Sequence, residues 1–368
     1  MNQSMEIDRR TLLAGGFAGV VASLYAEPAT AAGVTFSHIL GRPTKTTVAL
    51  SVIASGEATA YIEYGYSKTK LSFKGESRAL SANSPSVFEL TGLQSSSKVY
   101  YRLRYKGSGD SSFATGDTLS FSTAKLAGKA FAFTLQGDTH PERAGKMFNA
   151  DLYTVTQKNI TSQQPDCHIL LGEDFSIDPL IGRGQATAAN VDKIYATHRQ
   201  WLAISGGTIP LFLVNGNHEQ AAKYLLDGTA TNPAVLAGLA RNKYFPLPIS
   251  NSFYSADQEQ IEFVGNPRDY YTWTWGDATF ITLDPYWHSE NAVDNVAGVS
   301  NDQNATNKKS GTGDSKTKDL WSVGLGDAQY AWLKTTLENC KSKYIFVFAH
   351  HVMGTGRGAV EVSYDYEW

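Results

Sequence analysis

Cysteine is nearly absent from this 368-residue chain. The two present, Cys167 and Cys340, belong to no CxxC or Cys/His zinc pattern, so a thiolate zinc site is excluded. Each precedes an apolar strand-like run, HILLG or YIFVFAHH. A bridge between them would need an oxidising compartment and a fold that brings their Cα atoms within disulfide range. Charge is sparse as well, at 18% of residues with a formal net charge of -3. There is no Lys/Arg stripe, which excludes nucleic acid as the main partner and a basic membrane-surface helix. Ser, Thr, Gly, Asn and Ala fill the surface instead, as in many exported proteins.

Residues 1–32 are set apart from the fold. Arg9 and Arg10 are adjacent, Thr11, Leu12 and Leu13 follow, and then comes AGGFAGVVASLYA, too short for a comfortable membrane span. AEPATAAG offers an A-x-A cleavage site near Ala31. Paired arginines before such a run resemble a twin-arginine export signal. That resemblance implies an exported chain, periplasmic or extracellular, with the twin-arginine machinery as a partner that moves folded, often metal-loaded, proteins.

Residues 33–125 read as all-β. In KVYYRLRYK, Val99, Tyr101, Leu103 and Tyr105 alternate with Lys98, Tyr100, Arg102 and Arg104, the pattern of a strand with one face buried. With LTGLQSSS before it and LSFSTA after it, the segment resembles the closing strands of a fibronectin type III sandwich. KLAGKA is a linker. From residue 130 to 368 the character is α/β: FAFTLQGD, CHILLGED, IPLFLVNGN, ATFITLD and KYIFVFAHH are near-continuous apolar runs, predicted to be strands buried on both faces. ANVDKIYATHRQWLAISG and GDAQYAWLKTTLENC read as helices. YYTWTWGD reads as core and hairpin packing. The polar stretch 289–318 reads as a surface excursion without calcium-loop spacing.

Four strand ends carry metal-ligand chemistry. They are Asp138 and His140 in GDTH, Glu173, Asp174 and Asp178 in GEDFSID, Asn217, His218 and Glu219 in GNHE, and His350 with His351 in AHH. A glycine before a ligand allows a sharp turn and close approach to an ion. All four lie where an open α/β sheet places its ligand site, beyond the carboxyl ends of strands.

At these residues the chain resembles the calcineurin-like metallophosphoesterase superfamily, in its alkaline phosphatase D and purple acid phosphatase branch. The family order is DxH, GD, GNH(D/E), a strand-end His, then GHxH. The resemblance spans residues 130–368. It implies a metallophosphatase-like β-sandwich flanked by helices, preceded by a smaller all-β Ig/fibronectin III-like sandwich. It implies a phosphate mono- or diester as substrate, attacked by a metal-bridging hydroxide. It implies two divalent or mixed-valence metal ions, from among iron, manganese, zinc and calcium. Asp138 and His140 would bind the first, Asn217 and His350 the second, and His218 would stand near the leaving group. The bridge falls to Glu173, where the family has Asp, or to Asp174. Glu219 would orient His218 or be a solvated carboxylate. Ser176 and Ile177 hold the positions of the iron-binding tyrosine, which disfavours a purple iron enzyme. No GHxH follows His350, so the chain reads as truncated at its C-terminus. Its rival reading is a degenerate, non-catalytic binding protein. His288 is the best substitute ligand, ahead of His351 and His198. Arg357 and His351 are candidate substrate contacts.

Overall fold

The computed structural model describes residues 33–219, 223–289 and 324–350. The expected export signal, His351, Arg357 and the polar excursion beyond Ser289 lie outside the described residues. Among the described residues, no helix is long and apolar enough to cross a membrane.

The strand-rich N-terminal region contains β1 (Phe36–Gly41), β2 (Val48–Ala54), β3 (Ala58–Gly65), β4 (Phe73–Lys74), β5 (Arg78–Leu80), β6 (Pro85–Leu90), β7 (Lys98–Gly107), β8 (Ala114–Thr115) and β9 (Leu119–Ser122). β7 alternates as its sequence requires. Val99, Tyr101, Leu103 and Tyr105 are buried, while Arg102 and Arg104 both pair with Glu63 of β3, at 2.7 and 3.2 Å. The buried face joins Leu50, Val52 and Phe88 of the β1–β2–β6 layer in one apolar core.

β1 also continues into the second half of the chain. It pairs in parallel with β12 (Leu211–Leu213) at Gly41 and Leu211. Gly41 is required there, because a Cβ would stand 2.5 Å from the Pro246 carbonyl oxygen. The resulting sheet runs β10 (Phe133–Gln136), β11 (Cys167–Leu170), β12, β1, β2, β6, with β10, β11 and β12 parallel. A second sheet runs β13 (Ser255–Ala256), β14 (Tyr271–Trp275), β15 (Ala278–Thr282), β16 (Tyr344–Phe348).

The α-helices among the described residues are α1 (Ala150–Gln163), α2 (Asp178–Ile181), α3 (Ala188–Gly206), α4 (Pro233–Tyr244) and α5 (Gly326–Asn339), with short 3-10 turns at Pro141–Arg143, Asn217–Glu219 and Lys223–Leu225. α3 and α5 lie where the sequence pattern puts them. α1 and α4 escaped that reading, although both carry start signals. Asn149 caps α1 by accepting from the Asp151 and Leu152 amides, and Asn232 precedes Pro233 at the first turn of α4.

β11 and β12 are buried on both faces. Leu170, Leu211 and Leu213 meet residues of α1, α3 and α4, whereas Ile169, Phe212 and Val214 meet Tyr271, Trp273 and Phe280 of the second sheet. Phe212 stacks on Trp273 with centroids 4.0 Å apart. The architecture is therefore a β-sandwich with helices on its flank. The same burial was expected for FAFTLQ and YIFVF and is not found. Leu135 is 49% exposed, and Ile345 and Val347 are 43% and 49% exposed. β10 and β16 are edge strands among the described residues, so each has a neighbour on one side only. Cys167 and Cys340 are both free thiols.

Three buried histidines give the fold an acid limit. Burial holds His38, His168 and His198 each down to about 4, with the Arg199 charge adding to the effect at His38. The unfolded chain therefore binds more protons than the folded one between about pH 4 and the ordinary histidine value. The stability these residues contribute is complete above that ordinary value and is lost as pH falls toward 4. Urea unfolding at pH 5 is expected to give a lower free energy than at pH 7, by about 2 kcal/mol per histidine. Equal values at the two pH points would show the assignment to be wrong.

Candidate functional site

The loops leaving β10, β11 and β12 are tied to one another by their backbones. The Asp138 amide donates to the Gly172 carbonyl at 3.1 Å, and the His140 amide donates to the Glu173 carbonyl at 2.9 Å. Glu219, buried, accepts from the Gly216 amide at 2.7 Å and from the Asp174 amide at 2.8 Å. Its role is to clamp two loops; it is neither solvated nor the group that orients His218. Asp138, His140 and Glu173 sit at φ of 54°, 45° and 71°. Left-handed backbone at non-glycine residues costs about 1–3 kcal/mol each and persists only where the surroundings enforce it.

These turns aim side chains at one carboxylate. Glu173 is fully buried. Its Oε1 accepts from the His218 amide at 3.1 Å and lies 3.1 Å from His350 Nε2. Its Oε2 lies 3.7 Å from His218 Nε2 and 3.8 Å from His140 Nδ1, and has no hydrogen-bond partner. Asn217 Oδ1 lies 3.1 Å from His350 Nε2. One ligand atom each from His140, Glu173 and His218 fall within 4.8 Å of one another. Asp138 is at the rim, its side chain 72% exposed and its Oδ1 3.9 Å from His140 Nε2. Gly216 closes the floor, where a Cβ would stand 2.2 Å from Glu173 Oε1.

Each imidazole is oriented by a group behind it. His350 Nδ1 donates to the Leu171 carbonyl at 2.7 Å, so Nε2 faces Glu173 and Asn217. His140 Nδ1 contacts Glu142 Oε1 at 2.8 Å, and His218 Nδ1 contacts Asp178 Oδ2. Arg143 Nη2 reaches His218 Nε2 at 3.3 Å. Burial pushes the Glu173 carboxyl up, but the hydrogen bond from His350 and the charges of His218 and His350 outweigh it and hold it below the usual range. Burial pushes His350 down, and Glu173 outweighs it to raise His350 to about 9. His218 is likewise lowered by burial but raised overall by Asp178 and Glu173.

Asp174 is not part of this group. Its carboxyl is buried on the helical side, accepting from Thr139 Oγ1 at 2.9 Å and Tyr153 OH at 3.4 Å, and burial followed by the Glu219 charge raises it well above the usual range. Of the two alternatives for a shared carboxylate, only Glu173 faces the histidines. His288 is also elsewhere, bonded to Asp269 and Glu259. His198 is a core residue with Nδ1 on the Asp174 carbonyl. Sequence reasoning gives no role to Glu142 or Arg143, although each lies within three residues of His140, and it places Asp178 among the candidate ligands rather than behind His218.

The donor set fits a cation. His350 Nε2 sits between two oxygen acceptors with its other ring proton committed, and Glu173 Oε2 is buried without a donor. A cation among these atoms would satisfy both, with Leu171 O, Glu142 and Asp178 acting as the second tier that metal-bound histidines require.

No protein-family model matches the chain, and no curated protein matches it in sequence. Its fold, however, is similar to those of two solved structures. The structure of PhoD matches with a TM-score of 0.58 over 84% of this chain at 16% identity. Purple acid phosphatase PPD1 from seeds of yellow lupin, Lupinus luteus, matches with a TM-score of 0.52 over 86% at 13% identity. The chain spans 61% of the length of the first and 50% of the second.

Proposed function

We propose that this chain is an exported, metal-dependent phosphoesterase that hydrolyses phosphate mono- or diesters. The observation that carries the reading is the convergence of His140, His218, His350 and Asn217 on the buried, under-bonded carboxylate of Glu173. Two divalent ions held there would supply positive charge against the phosphate and lower the pKa of the attacking water. Asp138 and His140 would hold one, Asn217 and His350 the other, with Glu173 within reach of both groups. Imidazole, carboxylate and amide oxygen together suit iron, manganese or zinc, and calcium less well.

The protein's own groups supply the rest. Asp178 fixes His218 so that Nε2 points into the site, where it meets the leaving oxygen and delivers its proton. Arg143, partly exposed beside His218, presents a fixed positive charge to the phosphate. Glu142 lies between His140 and Arg143 and holds both. The paired arginines Arg9 and Arg10 support export by the twin-arginine route to the periplasm or beyond.

The test is reconstitution. Chain stripped by a chelator is expected to be inert toward p-nitrophenyl phosphate and bis-p-nitrophenyl phosphate. Adding manganese, zinc or iron is expected to restore turnover, with two ions bound at the Glu173 group. The ratio of the two substrates' kcat/KM assigns mono- against diesterase. A folded chain that binds metal without turning over either substrate would sink the proposal.

A further inference from the structure

A second cluster of potential ligands lies outside the site just described. After β13 the chain passes Asp257 and Glu259, and just before β14 it passes Asp269. After β15 it turns through Asp284 and His288. The loop is rigidly built. Asn266 Nδ2 donates to the Asp257 carbonyl at 2.8 Å and to the Glu259 carbonyl at 3.1 Å, and the Ile261 amide closes the turn on Gly265. One ligand atom each from Asp257, Glu259 and His288 lie within 4.8 Å of one another.

The histidine is set as a ligand would be. His288 Nε2 donates to Asp269 Oδ2 at 2.9 Å, and Asp269 is completely buried, with its other oxygen accepting from the Tyr270 amide at 2.8 Å. The Tyr270 ring packs against the imidazole at 5.0 Å, nearly perpendicular. Nδ1 is thereby aimed at Glu259 Oε2, 3.0 Å away. A carboxylate behind the imidazole, with the opposite nitrogen turned to other carboxylates, is the recurring arrangement of metal-bound histidine.

A second observation is independent of this arrangement. Asp257 is 2% exposed, and its Oδ2 has no hydrogen-bond donor. Its Oδ1 is occupied by the Glu259 amide at 2.8 Å. A buried carboxylate oxygen without a donor is costly, and a cation is the partner that would satisfy it.

We propose that Asp257, Glu259 and His288 form a second divalent-cation site, separate from the Glu173 group, for an ion of the zinc or manganese class. Two carboxylates and one imidazole suit those ions. Bond lengths of about 2.0–2.2 Å from one ion to three such atoms are met by small side-chain shifts from the present spacing. Asp269 acts behind His288, orienting it. Lys223, 3.8 Å from Glu259 Oε1 and half exposed, leaves the site when the ion takes its place. The site ties the β13–β14 loop to the segment after β15, so its role is to brace those two segments.

The experiment uses the full chain carrying His140→Ala and Glu173→Gln, which disable the first site. After chelation and addition of zinc alone, metal analysis is expected to find one ion per chain, and zinc is expected to raise the melting temperature. Asp257→Asn or Glu259→Gln, added to that background, is expected to weaken zinc binding at least about tenfold and to abolish the shift in melting temperature. Glu259 is partly exposed, so its variant folds even if the Asp257 variant does not; circular dichroism checks both. Cobalt in place of zinc should show visible absorption that changes in the Asp269→Asn variant, because His288 has lost its orienting partner. No ion in the background chain, or equal zinc affinity with and without Glu259→Gln, overturns the proposal. The buried groups would then be an ion-pair network around a protonated His288.

Discussion

Glu173→Gln is expected to lower phosphoesterase turnover on the order of a thousandfold, about 4 kcal/mol of transition-state stabilisation. The amide keeps the shape of the side chain and removes only its charge. Oε2 is then either a neutral carbonyl oxygen or an NH2 group, and neither can be shared between two cations. Metal bound at the Glu173 group should fall with activity, and the part of the metal-induced rise in melting temperature that comes from that group should vanish. The metal-free fold should change little. Losing the ion pair with His350 is offset by relief from burying a carboxylate whose second oxygen has no donor. Asp174→Asn is the contrast. Burial and then the Glu219 charge raise that carboxyl well above the usual range in its pocket between Thr139 and Tyr153, so the nearly isosteric amide removes a charge that burial already disfavours. It should leave turnover within tenfold and metal content unchanged. Turnover comparable to wild type in the Glu173 variant, or metal loss in the Asp174 variant, would reverse the assignment of the shared carboxylate.

The choice between those two residues shows where sequence stops being readable. On an extended backbone, neighbours point to opposite sides, which cannot say which of Glu173 and Asp174 faces the histidines. The structure resolves it through a left-handed φ of 71° at Glu173, a turn forced by the adjacent loops. GDTH, GNHE and the strand-end histidine were legible because glycine–ligand spacing at strand ends is a local property. Arg143 and the pairing of Asp178 with His218 were not, because both contacts cross between loops and leave no spacing rule. His288 illustrates the opposite failure. It follows a strand, as a ligand of the first site would, but the turn after β15 carries it to Asp269. The apolar runs of β10 and β16 were read as doubly buried, since hydrophobicity does not record how many neighbours a strand has. The parallel pairing of Gly41 with Leu211 is likewise invisible, because it joins segments from the two halves of the chain.

Gly172→Ala is expected to cost about 3 kcal/mol of stability and to disable the site in whatever chain still folds. Two effects add. At φ of 101° an L side chain is strained whatever the space around it. A Cβ there would also stand 2.6 Å from the Gly216 nitrogen, 2.7 Å from the Gly216 Cα and 2.9 Å from His350 Nδ1. The first two are backbone atoms of the GNHE loop, which Glu219 clamps in place, so they cannot step aside as a flexible side chain would. The third is the nitrogen that holds His350 on Leu171. Relief of the clash must therefore move Asn217, His350 or both away from Glu173. Gly92→Ala isolates the conformational part. Its φ is 67° and nothing lies within 4 Å of the added Cβ. That variant should lose only about 1 kcal/mol and keep full turnover. Denaturant unfolding of both variants, with metal content and kcat on the folded fractions, separates the two contributions. If Gly172→Ala were no more destabilising than Gly92→Ala, the close approach of the GEDFSID and GNHE loops would not be what holds the site together.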